Sequence, residues 1–247
     1  MAKASGLGDH LFVGPLQVSG DAGSVGRIGG GPQTTDVTGI DKSAYERLTV
    51  VRDGGIEFAP WFNSATDRMH DAVSALPTAD VQVTYTHGLA VGNMAASCVA
   101  KQLNYDWTRA QDGSLSGSVT AEANAFGLEF GIQATDGVET FASADVGTTI
   151  DRGASLSSTS FGVQAYLHVL DIGSGTADIA LQDSADGSTD WQDVVTFTAV
   201  TAAGTERVQS SRTENVRRYL RFEVTNTFTD LDVLCNLVVN DHAAPNF

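Results

Sequence analysis

The stretch RRYLRFEVT alternates along its length: Arg218, Leu220, Phe222 and Val224 fall on one face, and Arg217, Tyr219, Arg221 and Glu223 on the other. A period of two is that of a half-buried antiparallel strand. FGVQAYLHVLDI, TADIALQDS, WQDVVTFTAV, ERVQSS and LDVLCNLVVN read as further short strands separated by turns. Strands at this spacing predict a β-sandwich. Upstream, DVQVTYTHG alternates as a strand, and residues 95–131 read as strand, Asp112-Gly113 turn, strand, break at Gly127, strand. Over 114–125, Leu115, Val119, Ala121 and Ala123 share one face, while Ser114, Ser116, Ser118, Thr120, Glu122 and Asn124 share the other.

One segment has helical periodicity. In NSATDRMHDAVSALP (63–77), Ser64 is the expected N-cap, Ala65, Met69, Ala72, Val73 and Leu76 form an apolar stripe, and Pro77 ends the helix. LTVVRDGGIEFAPWF (48–62) predicts a hairpin turning at Asp53-Gly54-Gly55. DKSAYERL (41–48) predicts a short helical turn. DAGSVGRIGGGPQTTD (21–36) is glycine-rich with few large apolar groups, which predicts a long loop or mobile arm. The chain is therefore expected to be mainly all-β: a barrel or sandwich with one flanking helix over 1–137, then a C-terminal β-sandwich over 138–247.

Composition supports this reading and narrows the partners. Twenty-six Gly and five Pro in 247 residues suit many turns. Thirty acids against fourteen Lys and Arg leave a formal charge of −16, and residues 138–247 hold no Lys. Such a surface repels nucleic-acid phosphate and anionic lipid, so tight binding to DNA or membrane is not expected. Cys98 and Cys235 sit among apolar neighbours and are expected to be buried free thiols. No stretch approaches the ~20 apolar residues of a membrane span, and the first residues lack the apolar core of a signal peptide. Synthesis in the cytoplasm is expected.

The candidate chemistry is thin. LQDSADGSTDWQDV places Asp183, Asp186, Asp190 and Asp193 around Gly187. An EF-hand needs ligands at alternate positions, glycine at the sixth and a bidentate Glu at the twelfth. Here glycine is fifth and Glu is missing, so a strand-to-strand turn is the expectation. TDRMHD puts Asp67, His70 and Asp71 on one helix face, more in keeping with local ion pairs than with a metal. His10, His70, His87, His168 and His242 fall in different elements, with neither HExxH nor GxSxG present. The glycines of 21–36 are followed by Pro32-Gln33-Thr34-Thr35 rather than an apolar helix, against a dinucleotide fingerprint. Neither catalysis nor a cofactor nor a metal is expected.

The stretches DVTGIDKSAYERLTVVRDGGIEFAPWFN and LPTADVQVTYTHGLAVGNMAASCVAKQLNYDWTRAQDGSLSGSVTAEANAFGLEFG resemble major tail proteins, the tail tube proteins of long-tailed non-contractile phages (siphoviruses). The segment from FGVQAYLHVLDI through RRYLRFEV is similar to the C-terminal part of some of them. The resemblance implies a virion protein whose hexameric rings stack into a tube that conducts DNA without gripping it, in contact with itself and with other tail proteins. It implies a β-domain with a flanking helix and an outer C-terminal domain. Under it, Gly23, Arg27, Gly29, Gly30 and Gly31 become candidates for contact between rings, and Glu57, Glu122 and Glu129, on polar strand faces, become candidates for the lumen. The alternative is a virion decoration or receptor-binding protein using aromatics such as Trp191 and Tyr219 to hold glycans.

Overall fold

The computed structural model describes residues 5–76 and 79–242. The strands of the first half are β1 (His10–Val13), β2 (Leu16–Gln17), β3 (Ala22–Asp36), β4 (Arg47–Pro60), β5 (Val81–Thr86), β6 (Met94–Gln102), β7 (Asp106–Arg109), β8 (Leu115–Ala123) and β9 (Glu129–Gln133). The remainder are β10 (Glu139–Phe141), β11 (Asp145–Val146), β12 (Ile150–Asp151), β13 (Ser158–Thr159), β14 (Val163–Gly175), β15 (Asp178–Ser184), β16 (Gln192–Thr196), β17 (Gly204–Gln209), β18 (Val216–Arg217), β19 (Tyr219–Thr225) and β20 (Phe228–Val239). The protein is nearly all-β and its sheets are antiparallel, with one α-helix among the described residues, α1 (Met69–Val73). No helix among them is long and apolar enough to cross a membrane.

Two compact units divide the chain, and neither is continuous: one is residues 1–20, 84–97 and 130–247, the other 21–83 and 98–129. This differs from the expected single cut at 137/138. The reason lies in β14 and β20 of the first unit. Val163, Ala165, Leu167 and Val169 of β14 join Leu231, Val233, Cys235 and Leu237 of β20 in one buried cluster, with Ile179 and Leu181 of β15 and Leu220, Phe222 and Val224 of β19. This is the interior of the predicted sandwich, built on the period of two; Leu220, Phe222 and Val224 are buried as their alternation requires. On its other face β14 buries Gln164, Tyr166 and His168, and there it meets the N-terminal segment. The rings of Phe12 and His168 lie 5.8 Å apart. β20 also pairs with β9 through Asn236↔Gln133 and Leu237↔Ile132. β14 and β20 thus pack against residues N-terminal to 138, and the division follows those contacts.

His168 is wholly buried, with Nδ1 2.7 Å from the Gly14 carbonyl and Nε2 2.8 Å from Thr84 Oγ1. A carbonyl only accepts, so Nδ1–H donates and neutral Nε2 accepts from the Thr84 hydroxyl. Burial lowers the imidazole pKa to about 4, opposed by the bond to Gly14. The unfolded chain therefore takes up this proton first, near pH 6.5, and stability falls as pH drops from 6.5 to 4, by about 3 kcal/mol for this group. Melting curves over pH 4–7.5 should show that slope, and His168→Gln should flatten it; an unchanged slope in the variant assigns it elsewhere.

In the second unit β3 and β4 form a hairpin of 15 and 14 residues, in register from Ala22↔Pro60 to Asp36↔Arg47. Two expectations are corrected here. The stretch 21–36 is not a loop: Ala22–Asp36 is a strand, because β4 satisfies its backbone groups without help from apolar side chains, and Asp21 ends a short 3-10 turn. Asp53-Gly54-Gly55 is not a turn but the interior of β4. Close approach explains the glycine there: a Cβ on Gly54 would lie 2.6 Å from Leu128 Cβ, and one on Gly30 opposite it 2.4 Å from the Asp53 carbonyl. DKSAYERL is not helical either; it falls in the connection and in the start of β4.

β8 lies between β4 (Ile56↔Ala121, Phe58↔Val119) and the second half of β6, and also pairs with β7. Val119 and Ala121 are buried beside Ile56 and Phe58, as the alternation predicts. The expected helix over 64–76 shrinks to α1, whose N-cap is Arg68 rather than Ser64. Buried Asp21 accounts for the late start. Its carboxylate accepts hydrogen bonds from Asn63 Nδ2 at 2.8 Å and from the Met69 N–H at 3.3 Å, which holds 63–68 outside the helix. Met69 and Val73 are buried, Leu76 is exposed with φ 42°, and Pro77 lies outside the described residues. Cys98 and Cys235 are free and buried, and burial lifts the Cys98 thiol to about 12.

Candidate functional site

β4 pairs with β8 over Gly55–Phe58, and from Arg47 to Arg52 its partner is β3. This outer part of the hairpin is a two-stranded ribbon, and residues 40–51 at its end are exposed throughout. Its side chains are not those of a solvated tip. Val37, Ile40, Tyr45, Leu48, Val50 and Val51 all present apolar surface, Tyr45 and Val51 each 71% exposed. Leu48 and Val50 share one face of the strand and Val51 takes the other. An isolated two-stranded ribbon is marginal in water, and grouped exposed apolar side chains mark an interaction surface.

At the inner end of the ribbon the structure brings together three of the residues singled out by sequence. Arg27 Nη1 lies 3.4 Å from Glu57 Oε1 and 3.2 Å from Glu122 Oε1, all three partly exposed. Exposed pairs of this kind contribute only about 0–1 kcal/mol, so the patch is a surface feature, acidic by one charge, rather than a fold determinant. Glu129 is a correction. It does not stand on a water-facing strand side but is buried, with Oε1 3.5 Å from Arg52 Nη1. The guanidinium makes burial of a carboxylate tolerable, a pairing that strand alternation does not register. Gly23, Gly29, Gly30 and Gly31 lie on β3; packing against Trp61 and β4 accounts for the small size of Gly23 and Gly30, whereas Gly29 has room for a Cβ and Gly31 has open space with φ 153°.

The Asp183–Asp193 segment joins β15 to β16 as a turn. Asp186 accepts from the N–H groups of Ser188 and Thr189, each at 2.8 Å, and from Thr189 Oγ1 at 2.7 Å. These bonds hold its carboxyl well below the usual range. Asp183 and Asp190 both turn to Arg217, at 2.6 and 2.8 Å. Sequence reading did not find Arg217, because its partner is 34 residues away and no local spacing announces it. In TDRMHD, Asp71 accepts from the Asp67 N–H at 3.1 Å while His70 Nδ1 lies 2.6 Å from Tyr105 Oη, so the face is used within the chain. The aromatics of the glycan alternative are partly capped: Arg221 lies 4.2 Å over Trp191 and Arg218 4.8 Å over Tyr219.

No protein-family model matches the chain, and no curated protein matches it. Among solved structures, similarity extends to the SPP1 Dit protein, described as a paradigm of hub adsorption apparatus in phages infecting Gram-positive hosts. The TM-score is 0.33 and identity 9%, over 94% of this chain and 99% of that one. A chain of the phage p2 baseplate in its activated conformation with Sr gives 0.32 and 10%, over 95% and 99%. The corresponding structure with Ca gives 0.30 and 10%, over the same shares. Scores at this level do not establish a common fold.

Proposed function

We propose that this chain is a structural protein of a phage tail, not an enzyme. In this reading its copies close into hexameric rings that stack into a tube conducting DNA. The observation that carries the proposal is the β3–β4 ribbon, which projects Leu48, Val50 and Val51 into solvent on both faces of a strand that, among the described residues, pairs only with its hairpin partner over Arg47–Arg52. In a lone subunit that surface is left wet; a neighbouring copy covers it. An interface between unlike patches of identical subunits closes into a ring when the rotation permits. The resemblance of residues 36–63 and 76–131 to tail tube proteins supports the same reading. So does the charge of −16, since a conduit that binds phosphate would stall its cargo. Partners are then other copies and adjoining tail proteins, in the virion.

The test is negative-stain microscopy and mass photometry of the purified full chain. Wild type should give rings and stacks of rings. Leu48→Asp/Val50→Asp/Val51→Asp, all at exposed positions, should give a folded monomer with unchanged circular dichroism. Rings that never stack would place the chain in a single-ring part of a tail, and a wild-type monomer at all concentrations would overturn the proposal.

A further inference from the structure

β4 has exposed apolar side chains at both of its ends, and the assembly reading uses only the first. Leu48, Val50 and Val51 lie at its start, on the ribbon. Directly after its last residue, Pro60, come Trp61, 52% exposed, and Phe62, 41% exposed. The Phe62 ring lies 5.2 Å from that of Trp107 and 5.2 Å from that of His70. Tyr105 closes the group, 5.0 Å from Trp107 and 5.7 Å from His70, with its Oη 2.6 Å from His70 Nδ1. Phe62 is thus held in place before any partner arrives, which reduces the entropy lost on binding. Exposed tryptophan beside it is among the side chains that dominate binding energy at interfaces.

We propose, resting on the assembly reading, that the ribbon tip of one copy docks on this aromatic end of the next, so that copies join head to tail. The contact cannot form within one subunit. Val50 and Trp61 are the two ends of one extended strand, roughly 35 Å apart at ~3.3 Å per residue. Charge selects the pairing. Residues 40–52 carry Lys42, Arg47 and Arg52 against Asp41 and Glu46, a net +1 on a chain of −16. Residues 61–71 and 103–112 carry Asp67, Asp71, Asp106 and Asp112 against Arg68 and Arg109, a net −2. Tip on tip, or end on end, sets like charge against like, whereas tip on end brings opposite charges together. Arg47 has no carboxylate partner among the described residues; its guanidinium lies 4.9 Å over the Tyr45 ring, beside the tip. The exposed Phe130 of the first unit offers no such imbalance. In the cavity wall beside it, Asp151 is paired with Arg218 and Asp241 with Arg152. A contact between unlike patches leaves a free tip and a free end on every partial assembly, so growth continues until a ring closes.

The experiment mixes two variants of the full chain: the tip variant Leu48→Asp/Val50→Asp/Val51→Asp and the end variant Trp61→Asp/Phe62→Asp. By mass photometry each should be a monomer alone, and the equimolar mixture should be a heterodimer, joined through its one intact tip and one intact end. If the end variant assembles as wild type does while the tip variant stays monomeric, this proposal fails and the assembly reading stands. A mixture that remains monomeric also overturns the proposal, and a monomeric wild type overturns both. Thr49→Cys and Ser64→Cys, at exposed positions beside the two patches, cover the case in which the end variant misfolds. A short bismaleimide should join these two in a mixture at least about tenfold more efficiently than it joins either alone, since the native Cys98 and Cys235 are buried and inert. Equal joining in all three samples overturns the proposal.

Discussion

Cutting the chain at Gly137 is expected to yield two fragments, neither of which unfolds cooperatively. Fragment 138–247 keeps both sheets of the sandwich but loses what covers β14 and β20 from outside. Phe12 no longer packs on His168, and the imidazole loses its acceptor at Gly14 and its donor at Thr84. β20 loses the Asn236↔Gln133 and Leu237↔Ile132 pairs, as well as the Ala134 N–H bond to the Cys235 carbonyl and the bond from the Cys235 N–H to Thr135 Oγ1. The new surface exposes Tyr166, Leu234 and Asn236, each at most 1% exposed in the whole chain. A strand edge and an apolar face opened together favour aggregation. Fragment 1–137 loses the same partners from the other side. The measurement is thermal unfolding with dye binding and an amide NMR spectrum for each fragment. A dispersed spectrum and a sharp melt from 138–247 near that of the full chain would show that the C-terminal strands suffice by themselves.

What the sequence disclosed and what it hid follow from the range of the interactions. Leu220, Phe222 and Val224 announce their burial because one strand reports its own two faces, and the same holds for Val119 and Ala121. The β-rich class follows from many such strands. The hairpin was hidden because β3 carries no apolar alternation; its order comes from a ladder with β4, and two glycines facing each other look like turn residues until their neighbours are known. Asp21 shows the same limit. It holds Asn63 and the Met69 N–H from 42 and 48 residues away, and so shortens a helix whose own pattern promises three turns. For the candidate surface, Arg27, Glu57 and Glu122 could be named singly from polarity, but their meeting depends on register. The exposed Leu48, Val50 and Val51 read as core residues in any local window, since exposure is a property of the fold.

Replacing Arg217 by Ala is expected to cost the first unit about 3–5 kcal/mol, the magnitude for breaking one partner of a buried ion pair. The side chain of Asp183 is 4% exposed and that of Arg217 15%. Asp183 accepts from the Arg217 backbone N–H and from Nε, both at 2.7 Å, and the same guanidinium donates to the carbonyls of Asp183 and Asp190 at 2.7 and 2.8 Å. Arg217 thus neutralises a buried carboxylate and fastens the turn in which Asp190 takes a positive φ of 51°. Removing the guanidinium strands the charge of Asp183 and frees the turn at once, and the midpoint should fall by on the order of 10 °C for a unit of this size. Arg217→Lys restores charge but not the planar fork and should recover only part of the loss. The decisive variant is Arg217→Ala/Asp183→Asn. If the stranded charge is the main cost, neutralising it returns a large share of the stability, and the double variant melts above the single one. Equal melting of the two would show instead that the carbonyl bonds to the turn carry the effect.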